Sequence, residues 1–350
     1  MADRSAARAK DPNRSAPGAQ PAPGPVPELR RAAERVRALL AEATARSPSD
    51  CLLLSGGLDT AILAPLAHAG GTRAAVTVLT SRDAPDGPFA RRVARGLGWD
   101  YRVVVVPLKS LLEETELVVR TMRTFDPMEV RNSLVIARGL READRLGYRS
   151  ILTGDGADEL FGGYSFLWEK DPPAFEEYTR NMAATMRFSS TPLGRSFGID
   201  VRAPFTDPEV VRFAVGLPKR LKVGRRRGQP VGKWVLRWAF PECPSRWRRK
   251  DPIEVGSGST RLPEWIGART DPASLQEEIG RAAREDRVAL RDAEQARYYQ
   301  TFRRLFRGSF AGRSFGPGSC AQCGFDLPRP DSTFCTTCGA YWARSVVEGA

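Results

Sequence analysis

The run Leu52-Leu53-Leu54-Ser55-Gly56-Gly57-Leu58-Asp59-Thr60 constrains this chain more than any other segment. An apolar strand, a turn with two glycines and a helix start follow one another without a gap, the arrangement that builds a ligand crevice at the end of an open sheet. The helix N-terminus offers unpaired N–H groups and the positive end of its dipole. Two glycines let the backbone approach phosphate oxygens without Cβ clashes. Ser55 and Thr60 add hydroxyl donors. The Asp59 carboxylate would repel bare phosphate, so it points to a Mg²⁺ held between carboxylate and phosphate oxygens. A tight strand-to-helix turn is the plainer reading, but the order Ser-Gly-Gly-x-Asp-Thr is more specific than a lone glycine pair. The sequence has no Walker-type Gly-x-x-x-x-Gly-Lys run, since Gly228 to Lys233 has the wrong spacing; that disfavours a phosphoryl-transferring P-loop enzyme.

Short apolar runs at 51–54, 74–79, 101–106 and 150–153 alternate with helical segments, which predicts an α/β fold with a doubly wound parallel sheet. A helix is expected over 26–45, where Leu29, Ala33, Val36, Leu39 and Leu40 recur at helical spacing. The second half reads as helices at about 172–187, 207–217, 231–240 and 273–306, a helical subdomain on the sheet. Residues 1–26 are Pro, Ala and Arg without apolar periodicity and read as a disordered tail. The main domain is then 27–308, followed by a Gly-, Ser- and Phe-rich linker at 309–319 and a cysteine module at 320–343.

Lys and Arg number 54 against 41 Asp and Glu among 350 residues, an excess that suits polyanions such as nucleotides, pyrophosphate or RNA. No apolar stretch approaches the roughly 20 residues of a bilayer span, so no membrane association is expected. Cys320-Ala-Gln-Cys323-Gly and Cys335-Thr-Thr-Cys338-Gly are two knuckles with the ligand spacing of one tetrahedral Zn²⁺. Redox cysteines are the rival reading. So short a segment needs metal to fold, and the pattern favours a reducing cytoplasm. Its partner is open: RNA, a protein carrier of the substrate, or the main domain. Cys51 and Cys243 read as core thiols and His68 as a helix-terminal surface histidine.

A second motif runs Thr153-Gly154-Asp155-Gly156-Ala157-Asp158-Glu159, then Gly162-Gly163-Tyr164, placing three carboxylates after one short strand. Together with Ser55 to Thr60 it resembles the ATP-pyrophosphatase (PP-loop) domain of the asparagine synthetase and β-lactam synthetase family, an adenine nucleotide alpha hydrolase-like fold. Asp200-Val-Arg202-Ala-Pro204-Phe205-Thr-Asp207, the Lys233 to Ala239 helix and the loop with Arg248-Arg249-Lys250 and Gly256-Ser257-Gly258 resemble further family motifs in order, so the likeness covers about residues 30 to 265.

The resemblance implies that ATP activates a carboxylate as an acyl-adenylate with loss of pyrophosphate, and that ammonia or another amine then forms an amide. It implies adenine and ribose contacts from Leu53, Val78, Thr153 and Gly154, and pyrophosphate contacts from Ser55, Gly56, Gly57, Asp59 and Thr60. It places Mg²⁺ on Asp59 and Asp158 and makes Lys250 and Asp155 catalytic. Asp155 stands for a family glutamate and is shorter by one methylene. Thr191 stands for a family aspartate, which disfavours free aspartate as substrate. Glutamine-dependent members begin with a catalytic cysteine, whereas this sequence starts Met1-Ala2-Asp3. Ammonia is therefore expected from solution or from a separate amidotransferase subunit. The alternative is a tRNA-modifying enzyme that adenylates a base and uses the ribbon to hold RNA. Arg225 to Arg227 and Arg246 to Arg249 read as solvated charge, and Lys233 equally as a structural ion-pair residue.

Overall fold

Alternation along the first strand sets the architecture: Cys51 faces one apolar core and Leu52 the other, so helices must cover both sides of the sheet. The computed structural model describes residues 26–329 and 332–342. The tail expected over 1–26 lies outside these apart from Val26, as does Ala343 of the cysteine module. Among the described residues β1 (Cys51–Leu53), β2 (Ala74–Leu79), β3 (Asp100–Val105), β4 (Ser150–Leu152) and β5 (Asp200–Arg202) form one sheet in the order β3-β2-β1-β4-β5. Every neighbouring pair is parallel, as the doubly wound reading requires. β2 is buried along its whole length, while edge strand β3 alternates exposed and half-buried residues and so tolerates Asp100 and Arg102. The sequence reading missed β5. Its three residues carry two charges and no apolar run, and only the pairing Ser150↔Asp200 to Leu152↔Arg202 makes it a strand.

One face carries α1 (Pro27–Ala45), α2 (Leu58–Ala69) and α3 (Asp86–Gly96). Leu29, Ala33, Val36, Leu40 and Ala43 form the buried stripe of α1, where Pro27 fits the first turn because its missing N–H needs no partner. Val36 and Leu40 are fully buried, each stabilising the fold by about 2 kcal/mol. The other face is covered by the helix Pro127–Arg145, started by the Asp126 carboxylate accepting from the Met128 N–H. Cys51 and Cys243 are buried in the two cores, where burial pushes their thiols up to about 12 and about 11. His68 is half-buried rather than free, its Nδ1 accepting from Trp99 Nε1 at 2.8 Å. No helix among the described residues is long and apolar enough to cross a membrane.

The helical half follows expectation at Pro172–Thr185 and Pro208–Gly216 and departs from it twice. The helix expected over 231–240 runs only from Trp234 to Ala239, because β7 (Gln229–Val231) folds back on β6 (Gly224–Arg226) as an antiparallel hairpin. The helix expected over 273–306 divides into Pro272–Asp286 and Ala293–Leu305. Arg287 takes a left-handed conformation (φ 50°) with its guanidinium over the Phe315 ring, Val288 and Leu290 turn into the core, and Asp292 caps the second helix. Apolar spacing continues through the break, so periodicity alone does not reveal it.

Lys222 is an unusual core residue. It is fully buried, its Nζ has no hydrogen-bond partner and lies 5.9 Å from the centre of the Phe175 ring. Burial holds its ammonium down to about 7, opposed only weakly by Glu176. Between about pH 7 and 10.5 the unfolded chain then binds more protons than the folded one, so this residue makes stability rise with pH across that window. Below about pH 7 its cost is complete. Lys222→Met is expected to raise stability by about 2–4 kcal/mol at pH 7 and to flatten the rise toward pH 10. Denaturant melts of both proteins at pH 7 and pH 10 test this; an unchanged pH dependence would count against a depressed Lys222.

Candidate active site

β1 and β4 lie side by side where the strand order reverses, and open sheets of this kind bind ligands in the crevice at the carboxyl ends of such strands. Two loops meet there. After β1, Ser55 to Gly57 leads into α2; after β4, Thr153 to Gly156 leads into the helix Ala157–Phe161. Ser55, Gly57, Asp59 and Thr60 line the cleft from the first loop, and Thr153, Gly154, Asp155 and Asp158 from the second. Gly56 does not line it. It sits at φ +70° with the backbone of Phe89 and Ala90 where a Cβ would go, so this glycine packs the loop onto α3. Ser245 Oγ donates to the Gly56 carbonyl at 2.7 Å from the other side. The apolar end of the cleft is made by Leu53 and Val78 with Val135, Ile136 and Gly139 of the Pro127–Arg145 helix.

Charge is concentrated between the loops. Lys233 Nζ lies 2.6 Å from Asp59 Oδ2 and 2.8 Å from Asp158 Oδ1, and Lys250 Nζ lies 2.6 Å from Asp158 Oδ2. Asp158 Oδ1 is engaged by the Lys233 ammonium, whereas the buried Oδ1 of Asp59 has no hydrogen-bond partner. Burial alone would raise Asp158, but Lys233 and Lys250 overcome it and hold the carboxyl at about 2. Burial pushes Asp59 up against the pull of Lys233. An unpartnered Asp59 oxygen with the Asp158 carboxylate close by, beside a phosphate-type loop, is an oxygen donor set of the kind a hard divalent cation takes, so the residues fit Mg²⁺.

Asp155 is half-buried and accepts from the hydroxyls of Thr153 at 2.8 Å and Ser190 at 2.5 Å. Burial raises its carboxyl above the usual range, and the two hydroxyl bonds oppose that rise. The segment from Asp200 to Asp207 stays out of the cleft: it supplies β5, the core residue Phe205, and Asp207, which caps the Pro208–Gly216 helix and pairs with Arg46 at 2.8 Å.

Lys233, read from the sequence as equally a structural ion-pair residue, lines the cleft, and so does Arg248, which the sequence reading took for solvated charge but whose side chain is buried against Asp86; Asp86 and Ser190 line it too and were not singled out. Lys233 takes a left-handed backbone (φ 55°) ahead of its helix, a conformation that costs a non-glycine residue about 1 kcal/mol or more and aims the side chain between the loops. Arg248 pairs with Asp86 at 2.6 Å and donates to the Ser55 carbonyl at 3.3 Å, tying the 245–251 loop to the phosphate-type loop. Burial lifts Asp86 to about 6 despite Arg248. Ser190 could have been found only by asking what satisfies the Asp155 carboxylate.

The cysteine module forms a second site. The Sγ atoms of Cys320, Cys323, Cys335 and Cys338 are buried and lie within 4.8 Å of one another. Gly324 N–H donates to the Cys320 carbonyl and Gly339 N–H to that of Cys335, so the knuckles repeat one geometry. The module is docked on the main domain. Phe125 N–H donates to the Thr337 carbonyl at 2.8 Å, Gln295 Nε2 to that of Cys338 at 2.8 Å, and Phe325 packs edge-on against Phe302. Residues 309–319 join in, with Phe310 against Phe302 and Arg313 bonded to the carbonyls of Cys323 and Asp286.

Fold and cleft are those of a doubly wound α/β nucleotide-binding domain. The asparagine synthase family model matches residues 35–197 and 177–314, and the chain belongs to that family. It is 29% identical over 246 residues to glutamine-hydrolyzing asparagine synthetase 1 of Arabidopsis thaliana, covering 64% of this chain and 41% of that protein. With number 3 of the same plant it shares 28% over 295 residues, 76% and 50% of the two chains. With the glutamine-hydrolyzing asparagine synthetase of Asparagus officinalis it shares 29% over 231 residues, 59% and 39%. The chain thus spans half or less of the length of these relatives.

Proposed function

We propose that the chain uses ATP to adenylate a carboxylate, releases pyrophosphate, and passes the acyl group to ammonia or another amine to form an amide. The observation that carries this is the array Asp59–Lys233–Asp158–Lys250, set beside the Ser55–Thr60 loop at the switch point of a chain in the asparagine synthase family. In this reading the adenine lies against Leu53 and Val78, and Thr153 and Gly154 border the ribose. The N–H groups at the start of α2 and the hydroxyls of Ser55 and Thr60 face the departing pyrophosphate. Asp59 and Asp158 would hold Mg²⁺, which supplies charge to screen the phosphates. Lys250 and Lys233 stabilise negative charge as it builds on the leaving oxygens. Asp155, fixed by Thr153 and Ser190, positions the incoming amine. Zinc in the four-thiol cluster is structural, and the unpaired state of all six cysteines supports a reducing compartment such as the cytoplasm.

The nucleophile in this reading is ammonia or an amine, delivered from solution or by a separate subunit. Pyrophosphate release should be measured across carboxylates, amines, glutamine and tRNA. A carboxylate with ammonium is expected to support release that rises with pH as ammonium loses its proton, while glutamine added to this chain alone is not. Release driven by tRNA without a carboxylate would replace the amide reading with base adenylation.

A further inference from the structure

Lys233 and Lys250 also border a second recess, lined by the β6–β7 hairpin, the 247–250 segment, Gly163 and the indoles of Trp168 and Trp247. Its lining includes Arg226, Lys233, Arg237, Arg248, Arg249 and Lys250, and among the described residues no Asp or Glu lines it. The last five of these also line the cleft, so one wall of basic side chains separates the two spaces. Lys233, Arg248 and Lys250 are engaged by carboxylates on the cleft side, and Arg237 by the carbonyls of Gly232, Arg246 and Arg248. Arg226 and Arg249 have no ion pair among the described residues. Arg226 instead stacks on Trp247, 4.3 Å from the ring centre, and Arg246 stacks on the same ring at 4.7 Å. Burial lowers both guanidiniums, with the Arg227 charge adding to the effect on Arg226 and the Arg226 charge adding to that on Arg246. Such unneutralised charge facing a recess is ready for a multiply charged anion.

We propose that this recess is a pyrophosphate-binding exit port, which receives the leaving group from the cleft through the shared basic wall. The proposal rests on the ligase reading for the source of the pyrophosphate, but not for the binding itself. A compact polyphosphate suits a pocket in which the Arg226 guanidinium is fixed on a rigid ring and which shares Arg248, itself bonded to the phosphate-type loop, with the cleft. Arg226 lies on the hairpin outside the cleft, so its replacement leaves nucleotide contacts in place.

The test is calorimetric titration of the full chain with inorganic pyrophosphate, alone and with a non-hydrolysable ATP analogue filling the cleft. Pyrophosphate should still bind when the analogue is present. Arg226→Gln should weaken that binding by about tenfold and Arg226→Glu should remove it, while affinity for the analogue stays within about twofold. Pyrophosphate binding only to an empty cleft, or unchanged in both variants, overturns the port. Should the analogue itself fail to bind, the ligase reading falls, and the recess is judged by pyrophosphate alone against the same two variants. An RNA oligomer that binds in an Arg226-dependent way where pyrophosphate does not would assign the recess to a macromolecular polyanion and overturn the proposal as well.

Discussion

Asp59→Asn is expected to cut pyrophosphate release by at least about a hundredfold while leaving the fold intact. The amide has nearly the shape of the carboxylate, so packing against Thr60 and Gly154 survives. What goes is charge. Asp59 Oδ1 is buried and uncommitted, and a neutral oxygen there binds a divalent cation far more weakly. Lys233 keeps Asp158 as a partner, so no buried ammonium is stranded. Lys233→Met is the informative contrast, because it leaves Asp59 and Asp158 facing each other without the cation between them. That variant should lose stability as well, by about 3 kcal/mol, the cost of an uncompensated buried charge. Pyrophosphate assays and thermal melts on both proteins separate the two effects. Near-normal turnover in Asp59→Asn would remove this carboxylate from metal binding.

The sheet and the phosphate-type loop are legible in the sequence because both depend on local pattern. Continuous apolar runs mark strands buried on both faces, and a glycine pair between strand and helix marks the loop. What stays hidden depends on distant partners. β5 becomes a strand only by pairing with β4, and the break at Arg287 is set by Phe315 and by the cysteine module, which takes the Ala289 N–H through the Gln322 carbonyl. Lys233 illustrates the same limit at the site. Nothing near it in sequence shows that residues 174 positions away on α2 and 75 away after β4 would both offer it a carboxylate. Gly56 shows the converse, since the phosphate-type motif gives no sign that this residue also packs its loop against the Phe89 and Ala90 backbone of α3.

Chain purified under reducing conditions should carry about one zinc per molecule, and removing it should destabilise far more than the short cysteine module. The sulfur pairs Cys320–Cys338 and Cys323–Cys335 are 3.6 and 3.7 Å apart. A tetrahedron with Zn–S bonds of about 2.3 Å has edges of about 3.8 Å, so these two edges already have the length that four thiolates around one ion require. Structural zinc of this type contributes of order 10 kcal/mol to folding. Here that energy is not confined to the module, because its four cysteines share one core with Phe125, Tyr299 and Phe302. Gly339 lies so close to Asp126 that a Cβ would overlap its carboxylate, and Thr124 and Phe125 bond to Thr336 and Thr337 at the start of the helix that lines the apolar end of the cleft. Chelation, or Cys338→Ser, should therefore lower the melting temperature of the whole domain in one transition and weaken nucleotide binding together with it. Metal analysis, thermal melts and hydrogen exchange at the Gly324 and Gly339 amides follow the effect. Full protection of those amides with no metal present would mean that packing alone holds the knuckles.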